Sequence, residues 1–297
     1  MAMAMAVFGA IIFFLNGIPQ GVRGVNNGER SKFIESYAQM HKTGLVQAYR
    51  AECDFYDWNR KSAKTAIHPA CTDVAVGNSV FIWGDSHAQA LSAGIRHLLA
   101  QTAEVAQVAT SGCAPKIGAQ RTPSTISNNC DKSNAFALAE IVRLRPRTVI
   151  LAQRENHQET DWGVLADRLH ENGVKNVVLV GALPSWQPSL PNVIARSHWY
   201  DPSPYVSAGL DKTSWGTDQM LSKRWHELKR LTYISMIEKL CRGDACIGFA
   251  PGKSRILMAV DYAHLTIPGS YYAASVALKK SLGAWHTLRQ GPVIALD

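Results

Sequence analysis

Nucleophilic catalysis by serine needs an exposed hydroxyl, a base within reach of it and a group that orients the base. Two tetrads far apart in this chain offer all three: Gly84-Asp85-Ser86-His87 and Asp261-Tyr262-Ala263-His264. An unassisted hydroxyl is a weak nucleophile near neutral pH. Ser86 is therefore the candidate nucleophile and His264 its base, later its acid. Asp261 is the carboxylate that would hold the imidazole tautomer and stabilise its cation. A tetrahedral intermediate also needs donors aimed at its oxyanion. The backbone N–H groups of Ser86 and Gly112 suit that task, because glycine admits close approach of a ligand and unusual backbone angles. Asp85 reads as a cap or loop anchor. His87 reads equally as a contact to donor or acceptor and as a buried structural histidine.

These residues form one site only in a fold that joins the two tetrads. Apolar runs at 80–83, 105–109, 148–152 and 176–180 read as strands, and patterns at 88–100, 135–144, 162–171, 218–240 and 271–282 read as helices. The last apolar run is 256–260, directly before Asp261. Strands alternating with helices predict an α/β protein whose mainly parallel sheet is covered on both faces. Functional residues in such folds gather at the C-terminal strand ends. Ser86, Gly112, Gln153 and Arg154 all follow expected strands. The stretch from Pro184 to Gly216 is too long for a plain connector. Its Trp186, Trp199, Tyr200, Tyr205 and Trp215 suit stacking on sugar rings and equally suit packing onto the body.

The tetrads resemble the first and last sequence blocks of the SGNH, or GDSL, esterase and acyltransferase superfamily. Thr110-Ser111-Gly112-Cys113-Ala114-Pro115 stands where that family has its second block and its glycine. Trp83-Gly84 before Asp85-Ser86-His87 is similar to the periplasmic SGNH domains fused or partnered to acyltransferase-three membrane proteins. The resemblance implies a flavodoxin-like three-layer α/β/α sandwich. It also implies O-acetyl transfer to a bacterial surface polysaccharide, such as lipopolysaccharide O-antigen, through an acylated Ser86. The acetyl group would arrive from the acyltransferase-three partner, ultimately from acetyl-CoA, with no bound cofactor or metal. An esterase that removes acyl groups is the alternative, and a non-catalytic glycan-binding module would require a vestigial triad. One departure stands out. The family's third oxyanion donor is normally an asparagine in a Gly-x-Asn-Asp block after the third strand. This chain has Leu151-Ala152-Gln153-Arg154-Glu155-Asn156. Arg154 or Gln153 is then the expected donor, with Asn156 the weaker choice.

Composition agrees with a globular domain: 297 residues, 46% hydrophobic and 18% charged. The formal charge of +8 would suit nucleic acid, anionic lipid or an acidic polysaccharide. The clusters Arg143, Arg145, Arg147 and Lys223, Arg224, Lys229, Arg230 read as solvated faces, and no nucleic-acid motif accompanies them. The N-terminal run Ala2 to Leu15 is apolar but short for a membrane helix, which needs about 20 residues. It lacks a charged leader and reads as the end of a transmembrane segment, giving 1–18 as a partial membrane tether, 19–50 as linker and 51–297 as the catalytic domain. Arg23, Arg30 and Lys32 run against that orientation, since positive charge usually stays cytoplasmic. The cysteines outweigh them. Six cysteines fall in three near pairs, Cys53–Cys71, Cys113–Cys130 and Cys241–Cys246. Spacing does not fix connectivity, but local pairing is the simplest reading, and the zinc alternative lacks a Cys-x-x-Cys. Disulfides place the domain in an oxidising compartment, here the periplasmic face of the inner membrane. Mass spectrometry of non-reduced protein from its native compartment should show three bridges and no free thiol; six free thiols would overturn that placement.

Overall fold

The computed structural model describes residues 26–57, 60–118, 125–252 and 254–282. The expected membrane segment at 1–18 lies outside them. Among the described residues no helix is long and apolar enough to cross a membrane.

Five strands make the central sheet: β1 (Ser79–Gly84), β2 (Glu104–Ala109), β3 (Thr148–Ala152), β4 (Asn176–Val180) and β5 (Thr232–Ile234). Their order is β5-β4-β3-β1-β2, and all neighbours run parallel. The central strands β1 and β3 are buried along their whole length, as strands covered on both faces must be. Successive side chains of β1 serve opposite faces. Val80 and Ile82 join a core with Leu91, Ile95 and Leu278, while Phe81 and Trp83 join another with Ile141, Leu165 and Trp225. The helices divide accordingly. Helices α2 (Ser86–Leu99) and α6 (Ile267–Leu282) cover one face; α3 (Thr125–Leu144), α4 (Trp162–Glu171) and α5 (Trp215–Leu228) cover the other. The three-layer α/β/α architecture is as the sequence implies. Helix α1 (Asn26–Gln39) leads into a segment that buries Leu45 and Tyr49 in the first core, along with its own Tyr37.

Two elements differ from expectation. The pattern at 218–240 is not one helix. Helix α5 stops at Leu228, Lys229 turns the chain at φ 49°, and Thr232–Ile234 pairs with β4 as the edge strand β5. The Ser235 hydroxyl then accepts from the Glu238 N–H (2.9 Å) and starts a short helix, Met236–Leu240. A three-residue strand between two amphipathic helices is too short to break the helical periodicity. The run 256–260, for its part, is no sheet strand. It makes only isolated bridges, Phe249 to Leu257 and Ala259 to Leu265.

The layer that positions the site is the pair α2 and α6. Helix α2 begins at Ser86, and α6 begins three residues after His264. They meet through small residues: the Gly94 N–H donates to Ser270 Oγ at 2.8 Å. A Cβ at Gly94 would overlap the Ser270 carbonyl and the Ala274 methyl. Alanine in a helix interior is intrinsically favoured over glycine by about 1 kcal/mol. The overlap reverses that sign: Gly94→Ala should destabilise the fold by about 1–3 kcal/mol, read as a lower urea midpoint at unchanged slope.

Candidate active site

The serine turn is built by the backbone first. Gly84 ends β1 between Ala109 of β2 and Ala152 of β3, where a Cβ would run into the Ala152 carbonyl. Only glycine therefore allows the turn at that depth. Asp85 caps α2, its carboxylate accepting from the His87 N–H at 2.8 Å and from the Arg154 N–H at 2.8 Å. It thus ties the Ser86 turn to the loop after β3. Burial raises the Asp85 carboxyl to about 6, against the pull of those two N–H groups. Ser86, the first residue of α2, is left facing the cavity.

The histidine loop folds back on itself. The Asp261 Oδ1 accepts from the N–H groups of Ala263 (3.0 Å) and His264 (2.9 Å), and its Oδ2 accepts from His264 Nδ1 at 2.7 Å. His264 Nε2 lies 2.8 Å from Ser86 Oγ. One hydrogen-bonded line thus runs from carboxylate through imidazole to hydroxyl. Burial alone would raise the Asp261 carboxyl. The hydrogen bond and charge of His264, with the two backbone donors, outweigh burial and hold it at about 2. His87 is buried beneath, edge-on to His264 with ring centroids 5.2 Å apart, and burial lowers its pKa well below the usual histidine value. It takes the structural alternative: it does not line the cavity.

The glycine loop is held from three sides. Asp54 is buried; its Oδ2 accepts from Ser111 Oγ at 2.7 Å and from Gln89 Nε2 at 2.9 Å. The Cys113–Cys130 disulfide ties the loop to α3, and Asn134 Nδ2 donates to the Ala114 carbonyl at 3.1 Å. Gly112 adopts φ 74°, the left-handed region that favours glycine. The other cysteines pair as Cys53–Cys71 and Cys241–Cys246.

These loops enclose a cavity of about 1080 Å³ that exposes Ser86, Gly112, Gln153, Arg154, Asn156, Asp261 and His264 together. Its aromatic lining is Tyr49, Tyr56 and Tyr262. None of the five aromatic residues picked out between 184 and 216 is among the lining residues. Trp186 is buried, Trp199 packs edge-on against Phe33, and Tyr205 lies under Arg242. That stretch braces the histidine loop instead, through Trp186 N–H to the Tyr262 carbonyl (3.0 Å) and Leu190 N–H to the Asp261 carbonyl (2.9 Å). Among the described residues, His41, Asp261 and His264 could bring ligand atoms within 4.8 Å of one another. His264 already engages Asp261 with one nitrogen and Ser86 with the other, so the arrangement serves proton transfer rather than metal binding.

The family model for the SGNH domain fused to AT3 (acyltransferase-three) domains matches residues 52–279. The chain belongs to this family. No curated protein matches it. Among solved structures, the periplasmic domain of the lipopolysaccharide acetyltransferase of Salmonella ser. Paratyphi A superposes with a TM-score of 0.66 at 19% identity, covering 83% of this chain and 98% of that one. At that identity the likeness shows the shared SGNH fold. A putative platelet activating factor from Streptococcus pneumonia (TM-score 0.41, 9% identity, 82% and 97% covered) is more distant. So is the C-terminal catalytic domain of the Streptococcus pneumoniae peptidoglycan O-acetyltransferase A (0.34, 14%, 72% and 96%).

This SGNH domain handles the missing asparagine block in its own way. Gln153 commits its amide nitrogen to the Glu155 carbonyl at 2.7 Å. Arg154 gives its backbone N–H to Asp85 and lays its guanidinium 4.3 Å over the Tyr262 ring. Of the two, Arg154 brings positive charge to the cavity. Asn156 sits in the left-handed region at φ 60° and lines the outer wall. Asp54, Tyr49 and His41 escaped the sequence reading. No spacing or motif marks them, and only their tertiary contacts give them a part. The depressed Asp261 carboxyl sets a pH signature. Its contribution, about 2 kcal/mol, is present above pH 4 and is lost as pH falls toward 2. Asp261→Asn should therefore be less stable than wild type at pH 7, and urea titrations should show that gap narrowing below pH 4.

Proposed function

We propose that this SGNH domain is a serine O-acetyltransferase that acetylates a bacterial surface polysaccharide on the periplasmic side of the inner membrane. The observation that carries the reading is the unbroken line Asp261–His264–Ser86 opening into a cavity, in a chain of the AT3-fused SGNH family. Ser86 Oγ attacks the acetyl carbonyl carbon as its proton passes to His264 Nε2. The N–H groups of Ser86 and Gly112 stabilise the oxyanion, helped by the charge of Arg154. Collapse expels the donor group, which takes the proton from His264 and leaves acetyl-Ser86. A sugar hydroxyl then gives its proton to His264 and attacks the acetyl carbon. The ester to Ser86 breaks, the proton returns to Oγ, and the O-acetylated glycan departs. The acetyl donor is supplied by an acyltransferase-three membrane domain and derives from acetyl-CoA. The segment at 1–18 tethers the domain beside that partner, 19–50 joins that tether to the body while packing Tyr37, Leu45 and Tyr49 into its core, and nucleic acid has no part.

Water in place of the sugar hydroxyl would make the same machinery a deacetylase. Purified protein should hydrolyse a small activated acetyl ester slowly, and Ser86→Ala or His264→Ala should each lower that rate by roughly 10³-fold or more. Direction is decided in cells. With Ser86→Ala protein folded and abundant, NMR of the purified polysaccharide should show fewer O-acetyl groups than wild type. More O-acetyl groups would establish hydrolysis instead.

A further inference from the structure

Residues that precede the family match at 52–279, among them His41, Lys42 and Tyr49, line the same cavity as Ser86. Helix α1 continues through one wider turn, Met40–Gly44, which sets His41 against the catalytic dyad. The His41 ring stacks on that of His264, centroids 5.3 Å apart and planes 28° from parallel. Its Nδ1 lies 3.6 Å from Asp261 Oδ2, the oxygen that also accepts from His264. The segment is anchored on both sides of this contact. Tyr37 Oη accepts from the Leu257 N–H at 3.0 Å. Tyr49 Oη donates to the Leu265 carbonyl at 2.6 Å, one residue past the catalytic histidine. Gln107 Nε2 holds the Tyr49 carbonyl at 2.8 Å.

We propose that His41 is a positioning residue for the dyad, steadying Asp261 Oδ2 with its Nδ1–H and covering the outer face of His264. The proposal rests on reading Ser86, His264 and Asp261 as the triad. Burial lowers the His41 pKa, the Asp261 carboxylate raises it and His264 lowers it; the net direction is down. The ring thus meets Asp261 as a neutral donor and adds no charge to oppose the imidazolium that forms on His264. Catalytic hydrogen bonds are often long in the absence of substrate and tighten in the reactive complex. A second donor on Oδ2 limits the carboxylate to one orientation, the one that keeps His264 Nε2 aimed at Ser86. The stack covers one face of the His264 ring. Because α1 lies on the N-terminal side, any displacement of that segment moves a part of the catalytic apparatus.

The test uses the whole chain and compares kcat and KM for a small activated acetyl ester in wild type, His41→Ala, His41→Phe and His41→Asn, with Ser86→Ala as control. Phenylalanine keeps the stack and removes the donor; the asparagine amide nitrogen stands where Nδ1 stood. His41→Ala and His41→Phe should lower kcat about tenfold, the scale of a hydrogen bond to a charged group, with KM changed less than about twofold. His41→Asn should recover most of kcat. Proton NMR gives an independent readout: the strongly deshielded His264–Asp261 proton should broaden in the Ala and Phe variants and sharpen again in Asn. Wild-type kcat in His41→Phe, or an Asn variant no better than Phe, overturns the proposal. If His41→Ala does not fold, the Phe–Asn comparison decides alone. Activity surviving in Ser86→Ala would instead sink the triad reading itself.

Discussion

The close crossing of α2 and α6 is the constraint on which the rest of the site depends. Ser86 starts one helix and His264 lies just before the other. Their relative position is therefore set where the helices touch, at Gly94 and Ser270, eight residues beyond Ser86 and six beyond His264. Small residues there bring the backbones near enough for a 2.8 Å hydrogen bond from main chain to side chain. Larger ones would separate the helices, and with them the hydroxyl and the imidazole. Packing interiors have little room to absorb such a displacement, so core geometry becomes catalytic geometry.

Three aspartates then do different work because their surroundings differ. Asp261 meets an imidazole and two N–H groups, which hold it ionised. Asp85 is buried more completely and its carboxyl is pushed upward, yet its two backbone partners make it the bolt between the serine turn and the loop after β3. Asp54 holds Ser111 and Gln89, and so the glycine loop. A carboxylate accepts several hydrogen bonds at once, which suits it to junctions where loops from distant parts of the chain must share a fixed point.

The cavity complements this rigidity. Its walls mix charged side chains, among them Lys42, Lys64, Lys116, Asp57, Glu155 and Glu159, with three tyrosines and the apolar Leu45 and Val46. Transfer rather than hydrolysis depends on how well a sugar hydroxyl displaces water near His264. The segment from His41 to Tyr49 lines part of that cavity.

Much of this was legible in the sequence. The two tetrads, the glycine block and the alternation of strands with helices picked out Ser86, His264, Asp261 and the α/β class, because each depends on local chemistry or short-range periodicity. The cysteine spacing anticipated the three bridges. The edge strand Thr232–Ile234 was not legible, since three residues cannot impose a strand period between two helices. Nor was the role of the aromatic residues between 184 and 216. A tryptophan on a sugar and a tryptophan in a core look alike in sequence; here Trp186 is buried, while the backbone of its stretch braces Asp261 and Tyr262. Asp54, Tyr49 and His41 gained their places only through contacts across 57, 216 and 220 or more positions of chain. The sequence determined which groups could do the chemistry. Tertiary structure alone decided which of them face one another, because that depends on how closely two helices pack and which loops a buried carboxylate joins.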